Sequence, residues 1–480
     1  MEKKNNLKVN YIYNLTYQIL LLFTPLITTP YLSRVLGTDG IGKFSYTQSI
    51  VMYFTICGSL GANLYGQREI AYVSKDKQIR SKRFFEIFIL KLIFLSISLV
   101  IYYSTFAING RYPLLFMIQC IDLFAAIFDI TWFFQGLEEF RKTVTRNVII
   151  KFISILLIFI FVKDSSDLTT FYFCHAGTIV LSNISLWFYL PKFLLKVNIN
   201  FRYTFSHLPS LIALFIPQAA IQVYSLLDKT MIGDITKSTY ELANYEQSQK
   251  LVNLCLTVVT SIATVMLPRI ASVYAEKRST DLHNYMVKTF RYSWMLAAPI
   301  FIGLITTIKN MSIWFFGTQY DKVPMIVWII SPIILFTNIS TILGNQFMVA
   351  TKRQKQYSLS ILLGAISNVL MNIILIKYYG AIGAALASVI SSIIIVLFDI
   401  IYLRKEISYK DIFYPARKYL LLSLFMGIFV CLLGELQVSI LLKTFLQLVV
   451  GTSIYILSLI LLRDRLVMDI LNKILMKFRH

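Results

Sequence analysis

Long apolar runs separated by short polar connections dominate the pattern of this chain. A segment of about 20 mostly apolar residues can cross the hydrocarbon core of a bilayer as an α-helix. By that criterion the sequence predicts an all-α polytopic membrane protein with about 14 transmembrane helices. The predicted spans are residues 11–33, 44–66, 84–107, 113–136, 147–162, 169–190, 209–232, 251–273, 292–308, 323–347, 357–376, 381–403, 418–434 and 440–462.

The polar connections alternate in charge along the chain. Lysine and arginine are concentrated in every second connection, for example in 67–83 and 404–418, and are sparse in the connections between them. Cytoplasmic loops of membrane proteins are enriched in these residues. The alternation therefore predicts that the N- and C-termini both lie in the cytoplasm. A count lower by two adjacent helices satisfies the same pattern, so the sequence also allows twelve.

Composition agrees with a membrane protein and argues against two other classes. Hydrophobic residues make up 57% of the chain and charged residues 15%, whereas soluble domains are about 45–50% apolar. The net charge of +22 is explained by loops that face an anionic cytoplasmic leaflet rather than by nucleic acid. The five cysteines lie in apolar runs and the four histidines are scattered. We therefore expect neither nucleic acid nor a metal ion as a ligand.

One short element occurs twice. Residues 32–37, followed by 44–50, resemble residues 227–233, followed by 244–250. Each copy lies at the end of the first predicted span of a set of six spans. Six crossings return the chain to its starting side, so the two sets have the same orientation. Parallel halves of this kind are a transporter architecture, with a binding site between the halves near the midplane.

The repeat predicts three parts of the chain. The first lobe is residues 1–200 with spans 1 to 6, and the second lobe is residues 201–405 with spans 7 to 12. Residues 406–480 contain spans 13 and 14 and a basic cytoplasmic tail. Because no connection is long enough to form a separate domain, any function must reside in the membrane or at its faces.

Several motifs resemble those of a known family, the Wzx-type polysaccharide repeat-unit flippases of the multidrug/oligosaccharidyl-lipid/polysaccharide exporter superfamily. The resemblance covers about residues 10–405 and is thinnest at the end of the chain. The motifs that carry it are residues 30–37 with Gly40 and Gly42, residues 61–71, residues 132–138 and residues 379–387, together with residues 227–229 and 266–269.

This resemblance implies two six-helix lobes in a V around a cavity that opens alternately to the two sides of the bacterial plasma membrane. The implied substrate is an oligosaccharide on an undecaprenyl diphosphate carrier, which is turned from the inner to the outer leaflet for capsule, O-antigen or exopolysaccharide assembly. Implied partners are membrane lipids, a polymerase and other polysaccharide-assembly proteins. The chain has no nucleotide-binding motif, so we expect the substrate gradient or coupling to H⁺ or Na⁺ to supply the energy.

Basic residues in or near the spans are candidates for binding the diphosphate. Arg34 and Lys229 occupy matched positions at the outer ends of the first spans of the two halves. Charge-assisted hydrogen bonds to phosphate are strong in a dry site, whereas snorkelling to the interface is the alternative interpretation. Further candidates are Lys91 inside the third span, and Arg68 and Arg269 at span ends.

Four aspartates in the predicted spans are candidates for ion coupling or internal pairing. Asp122 and Asp129 are seven apart in the fourth span, which predicts one helix face for both. Asp228 precedes Lys229, and Asp399 lies in the twelfth span. Intramembrane carboxylates line ion paths or pair with internal cations. The sequence leaves both alternatives open.

Tyrosines near the repeated elements are candidates for contact with the glycan, because the ring stacks on sugars while the hydroxyl forms hydrogen bonds. Tyrosine is also enriched at membrane interfaces for other reasons. The candidates are Tyr17, Tyr46, Tyr224 and Tyr245.

Three rival functions are weighed against the flippase. A lipid II flippase would bind its lipid-linked substrate through the same kinds of charged contact. A multidrug antiporter carries cations and favours an acidic cavity, which the basic residues argue against. A polymerase or ligase is expected to have a large outer loop, and the longest predicted outer loop here is only residues 234–250. We therefore expect a transporter, and no residue is assigned a catalytic role.

Overall fold

The computed structural model describes residues 2–199, 201–276 and 278–469, and every regular element in these ranges is helical. The α-helices in chain order are α1 Glu2–Ser59, α2 Ala62–Tyr72, α3 Lys77–Tyr102, α4 Pro113–Ile127, α5 Thr131–Gly136, α6 Phe140–Phe161, α7 Leu168–Ser185, α8 Phe201–Thr204, α9 Leu208–Thr236, α10 Thr239–Ala275, α11 Ser279–Phe315, α12 Val323–Ile330, α13 Ile333–Ser340, α14 Gln354–Tyr379, α15 Ala381–Leu403, α16 Tyr409–Gly434 and α17 Ile440–Leu461. Short π-helical segments lie at Tyr103–Ala107 and Thr341–Met348.

The all-α membrane fold predicted from the sequence is confirmed. Within the described ranges, 11 helices are long and apolar enough to cross a membrane, so the predicted count of about 14 is not established. The predicted spans 113–136 and 381–403 coincide with the candidate spans Pro113–Gly136 and Ala381–Leu403.

The chain divides into two compact units. The first comprises Met1–Gly233 and Ser238–Leu242, and the second comprises Asp234–Lys237 and Ala243–His480. The first unit therefore contains most of α9. This division does not test the predicted boundary at residue 200 between two membrane lobes, which stays a prediction.

An aromatic cluster forms the core of the first unit at the junction of α2, α3 and α5. Phe84 of α3 packs against the rings of Trp132 and Phe133 of α5, with ring centroids 5.4 and 5.0 Å apart. A side chain at Gly66 of α2 would collide with the Trp132 ring, because an added Cβ would lie 2.4 Å from it. The resemblance motifs 61–71 and 132–138 therefore pack against each other.

The core of the second unit joins α11 to α16 and α17. The Trp294 indole N–H of α11 donates to the Ile412 carbonyl of α16 at 2.9 Å. The Tyr455 hydroxyl of α17 donates to the Met295 carbonyl at 2.9 Å. The two helices that lie outside the sequence repeat are therefore integral parts of this unit.

Candidate functional site

Arg34 lies on α1 just before the point where this helix is interrupted. Gly37 has φ 65° and ψ −172°, a combination that is accessible essentially only to glycine. One turn earlier, the Arg34 side chain is exposed, whereas its neighbours Ser33 and Leu36 are buried. The sequence thus fixes a cation at the end of a packed helical segment.

The remaining glycines of this motif allow close contact between helix backbones. A Cβ at Gly42 would lie 2.1 Å from the Thr239 carbonyl oxygen, so only glycine fits against the first turn of α10. The Thr239 hydroxyl donates to Asp39 at 2.9 Å, and Asp39 lies 2.5 Å from the Lys43 ammonium. These contacts hold residues 38–43 against the end of the first unit.

Lys229 lies on α9, one turn before Gly233. Lys229 is half-buried, whereas the adjacent Asp228 is only 4% exposed, so the two side chains lie on different faces of the helix as expected. Gly233 packs against the Tyr46 ring, and its carbonyl accepts a 3.4 Å hydrogen bond from Arg111.

Arg34 and Lys229 therefore lie at the same end of the first unit, which we call the Arg34 end. The loop before α7 reaches this end, because Tyr31 donates to the Val162 carbonyl at 2.6 Å and Gly40 packs against Leu168. The loop before α4 reaches it through the hydrogen bond from Arg111 to Gly233. Arg111 adds a further cation there. Sequence reasoning placed Arg111 only in a connection, since its contact with α9 depends on the tertiary fold.

Lys91 is buried and pairs inside the first unit. The residue is only 2% exposed. Its ammonium group donates to the Asp129 carbonyl at 2.7 Å and lies 3.8 Å from the Asp129 carboxylate. Asp129 is therefore paired with an internal cation, which is one of the two alternatives that the sequence left open for the acidic residues. A cavity-facing Lys91 does not agree with this burial.

The expectation that Asp122 and Asp129 share one helix face is wrong. The helix α4 ends at Ile127, and Asp129 lies in the break before α5, where its carboxylate accepts the Thr131 backbone N–H at 3.0 Å. Carbonyls at this break also accept side-chain donors: Asn183 donates to Ala125, and Trp187 donates to Phe128, both at 2.8 Å. The Trp187 donor satisfies a carbonyl that a continuous helix would have paired, whereas the Asn183 donor adds to the Phe128 N–H that the Ala125 carbonyl already accepts.

Asp122 differs from Asp129 because it has no such partner. It is 7% exposed, and neither of its carboxylate oxygens has a hydrogen-bond partner among the described residues. Neutral polar groups lie on the helices around it: Thr47 and Tyr172 share a 2.7 Å hydrogen bond, and Gln119 donates to Gln48 at 3.0 Å. A buried carboxylate without a partner is costly unless it takes up a proton or a cation.

Asp399 is a second buried carboxylate, in the second unit. It is fully buried, and one oxygen accepts the Ser340 hydroxyl at 2.9 Å, whereas its other oxygen lacks a partner within the described ranges. Ser340 immediately precedes the π-helical segment Thr341–Met348, in which Gly344 makes room for the Tyr357 ring. Such segments occur frequently at functional sites.

The two span-end arginines each contact a tyrosine of their own unit. Arg68 lies 5.3 Å from the Tyr65 ring centroid and 3.3 Å from Glu69. Arg269 is exposed and donates to the Tyr285 hydroxyl at 3.0 and 2.8 Å. Their capacity to bind substrate stays a prediction.

A buried ionic network around His207 was not predicted from the sequence. The His207 ring joins the Tyr65 hydroxyl at 2.5 Å to the Glu86 carboxylate at 3.1 Å, and Arg83 lies 2.9 Å from the same ring. Glu86 is fully buried. A carboxylate at the start of the predicted span 84–107 was the available signal. The network attaches the segment before α9 to α3.

Two of the candidate tyrosines lie in packed interiors. Tyr46 is 8% exposed and packs edge-on against Tyr112 and Phe116. Tyr245 is fully buried, with its hydroxyl 3.4 Å from that of Ser388. This burial argues against contact of either ring with a glycan. Tyr17 and Tyr224 lie outside the residues whose side chains the structure describes.

The fold defines a class of protein, the polytopic all-helical membrane proteins. A solved structure titled Lipid II flippase MurJ, inward closed conformation, is similar to this chain with a TM-score of 0.76 and 16% sequence identity, over 95% of this chain and 99% of that chain. The sequence profile of the family described as Polysaccharide biosynthesis protein matches residues 7–274, more than half of the chain. The chain therefore belongs to the polysaccharide biosynthesis protein family.

Two curated relatives extend the similarity over most of the chain, and both are named "Putative O-antigen transporter". The relative from Shigella dysenteriae is 26% identical over 402 residues, which is 82% of this chain and 98% of the relative. The relative from Escherichia coli (strain K12) is 24% identical over 417 residues, or 84% and 98%. The family predicted from the motifs is confirmed, and the chain is a multi-pass membrane transporter of polysaccharide biosynthesis rather than an enzyme.

Proposed function

We propose that this protein moves undecaprenyl-diphosphate-linked oligosaccharide repeat units from the inner to the outer leaflet of a bacterial plasma membrane, by alternating access. The observation that carries this proposal is the similarity to two proteins named for O-antigen transport across 98% of their length. Both termini lie in the cytoplasm, and a polymerase and other assembly proteins receive the product.

The Arg34 end supplies the diphosphate contact in this proposal. An exposed arginine on a rigid helical segment can form two parallel hydrogen bonds to phosphate oxygens. Lys229 lies at the same end of the first unit and adds a second positive charge. Their location supports binding of the carrier after the substrate has left the inner leaflet.

Coupling to H⁺ or Na⁺ is a separate part of the proposal, and Asp122 is its residue. The carboxylate is buried without a hydrogen-bond partner in the described part of the chain. Binding of a proton or a sodium ion would remove the uncompensated charge, so occupancy of this position would respond to an ion gradient.

Deletion of the gene tests the function. Carrier-linked repeat units should accumulate on the cytoplasmic side of the membrane, and surface polymer should disappear. Complementation with Arg34→Ala should leave polymer export abolished at normal protein levels, whereas Arg34→Lys should retain part of it because the charge remains. Lys163→Ala is the matched control, since Lys163 is an exposed cation in a loop at the same end, and it should restore export fully.

Different outcomes separate the rivals. Wild-type polymer levels with Arg34→Ala would exclude the diphosphate contact. Accumulation of lipid II instead of repeat units would identify a lipid II flippase. Loss of drug efflux without a change in surface polymer would identify a multidrug antiporter.

A further inference from the structure

A cavity of about 600 Å³ opens in the second unit between α11, α16 and the turn after α17. Its lining includes five basic side chains and a single acidic one, Asp464. None of these residues belongs to the Arg34 end. The basic residues are Arg291, Arg417, Lys418, Arg463 and Arg465.

Asp464 is occupied by contacts within the protein. One carboxylate oxygen lies 2.5 Å from the Lys418 ammonium and accepts the Tyr419 hydroxyl at 3.4 Å. The other accepts the Leu466 backbone N–H at 3.1 Å, and the residue is only 6% exposed. Lys418 is thus neutralised locally.

The other four cations of the cavity lack a carboxylate partner. Among residues 2–199, 201–276 and 278–469, no ion pair involves Arg291, Arg417, Arg463 or Arg465. The chain beyond Asp469 contains no acidic residue. Among the described residues, therefore, no carboxylate compensates the excess positive charge at the cavity.

Arg291 and Arg417 lie on the helices α11 and α16, and Arg463 and Arg465 lie at a fixed turn rather than on a loose chain end. Arg463 has a left-handed backbone with φ 47°. The turn is closed by two 2.9 Å hydrogen bonds, from the Arg463 N–H to Ile460 and from the Asp464 N–H to Leu459. Leu459 belongs to the hydrophobic core of the second unit. Cations that snorkel to an interface from mobile ends need no such support.

The surface next to the cavity is apolar. Leu421 of α16 is 66% exposed, and Leu461 and Leu462 at the end of α17 are 81% and 58% exposed. Because α16 and α17 are candidate membrane spans, we expect these side chains to face lipid chains. A ligand that matches both surfaces has an anionic head and a hydrocarbon tail.

We propose that this cavity binds the phosphate-containing headgroup of an anionic membrane lipid, with the hydrocarbon chain along α16 and α17. Arginine forms strong, paired hydrogen bonds to phosphate, and basic pockets between transmembrane helices bind such headgroups. A phospholipid such as phosphatidylglycerol and a polyprenyl diphosphate share this chemistry. The proposal does not depend on the flippase function.

Lipid binding to the purified full-length protein tests the site. The protein, in nanodiscs of phosphatidylcholine, is titrated with labelled phosphatidylglycerol in one arm and with undecaprenyl diphosphate in the other. The double variant Arg463→Gln/Arg465→Gln should bind the preferred lipid about tenfold more weakly. The control, Arg404→Gln/Lys405→Gln, removes two exposed charges outside the cavity and should bind like the wild type.

The two arms also identify the source of the headgroup, because the arm that loses affinity in the cavity variant contains the true ligand. Equal weakening by both double variants would attribute binding to overall charge and overturn the site. Wild-type affinity in the cavity variant would overturn it as well. If the thermal unfolding midpoint of that variant falls, Arg291→Gln/Arg417→Gln replaces it, with the same expected loss.

Discussion

Lys91 shows how a charge inside a membrane helix is accommodated. A charged side chain at this depth needs a partner, and the sequence correctly marked the residue as one that requires an explanation. The partner is a backbone carbonyl as well as a carboxylate, both of Asp129. The carbonyl becomes available only because α4 ends early, and no hydropathy pattern indicates that break. The sequence therefore predicted the charge but not its environment.

Replacement of Lys91 should destabilise the first unit. Lys91→Met leaves the half-buried Asp129 carboxylate without its cation, and breaking a fully buried pair from one side costs about 3–5 kcal/mol, so we expect a smaller but measurable loss here. The measurement is the free energy of unfolding in detergent. Lys91→Met/Asp129→Asn should recover part of the loss, because it removes both charges.

Lys405→Met is the matched control for this prediction. Lys405 is exposed, so this change should alter stability by less than about 0.5 kcal/mol. If Lys91→Met and Lys405→Met proved equally stable, the pair with Asp129 would have no structural role.

At the scale of elements, the helix interruptions carry most of what the sequence did not predict. Pro25 and Pro30 lie inside α1, yet the interruption of this helix lies at Gly37. The span 113–136 was predicted as one helix but is broken into α4 and α5. Hydropathy defines the length of an apolar segment. A break within it depends instead on whether distant side chains can donate hydrogen bonds to the few carbonyls that the break exposes. The Asp129 assignment failed for this reason.

Gly37→Ala should destabilise the protein and displace Arg34. The backbone conformation of Gly37 is strained for any residue with a Cβ, at about 1–3 kcal/mol. The expected result is a lower thermal unfolding midpoint together with reduced polymer export, since Arg34 lies one turn earlier on the same segment.

Gly177→Ala provides the control for this element. Gly177 lies within α7, and an added Cβ there meets nothing within 4 Å. Because alanine is the better helix former by about 1 kcal/mol, the change should leave stability the same or slightly higher. Equal effects at Gly37 and Gly177 would contradict the proposed role of the Gly37 interruption.

For the whole molecule, the sequence predicted the fold class and the family well. Long apolar runs specify helices directly, and the motifs 61–71 and 132–138 are close-packed against each other in the structure. Pairing between distant helices is not encoded in local pattern, so the His207 network and the basic cavity of the second unit became visible only in the fold. The turn after α17, which the sequence analysis assigned to the basic part of residues 406–480, forms one wall of that cavity.

The orientation of the whole chain can be tested by cysteine labelling. All five native cysteines are replaced by alanine, and single cysteines are introduced at exposed loop positions. The alternation of loop charge predicts that Asn109→Cys and Gln319→Cys react with an impermeant maleimide in intact cells. Lys75→Cys and Lys405→Cys should react only after the membrane is permeabilised. The reverse pattern would show that both termini are external.

The break between α4 and α5 has a consequence for biogenesis. Its carbonyls receive donors from Lys91, Asn183 and Trp187, which are supplied by segments on both sides of it in the chain. When α4 leaves the ribosome, the segment that carries Asn183 and Trp187 has not yet been synthesised. Unpaired carbonyls are poorly tolerated in hydrocarbon. The Ala125 carbonyl also accepts the Phe128 N–H, and the Asp129 carbonyl has Lys91 from the preceding segment. We therefore expect the Phe128 carbonyl to be shielded, by the insertion machinery or by water, until Trp187 has been synthesised.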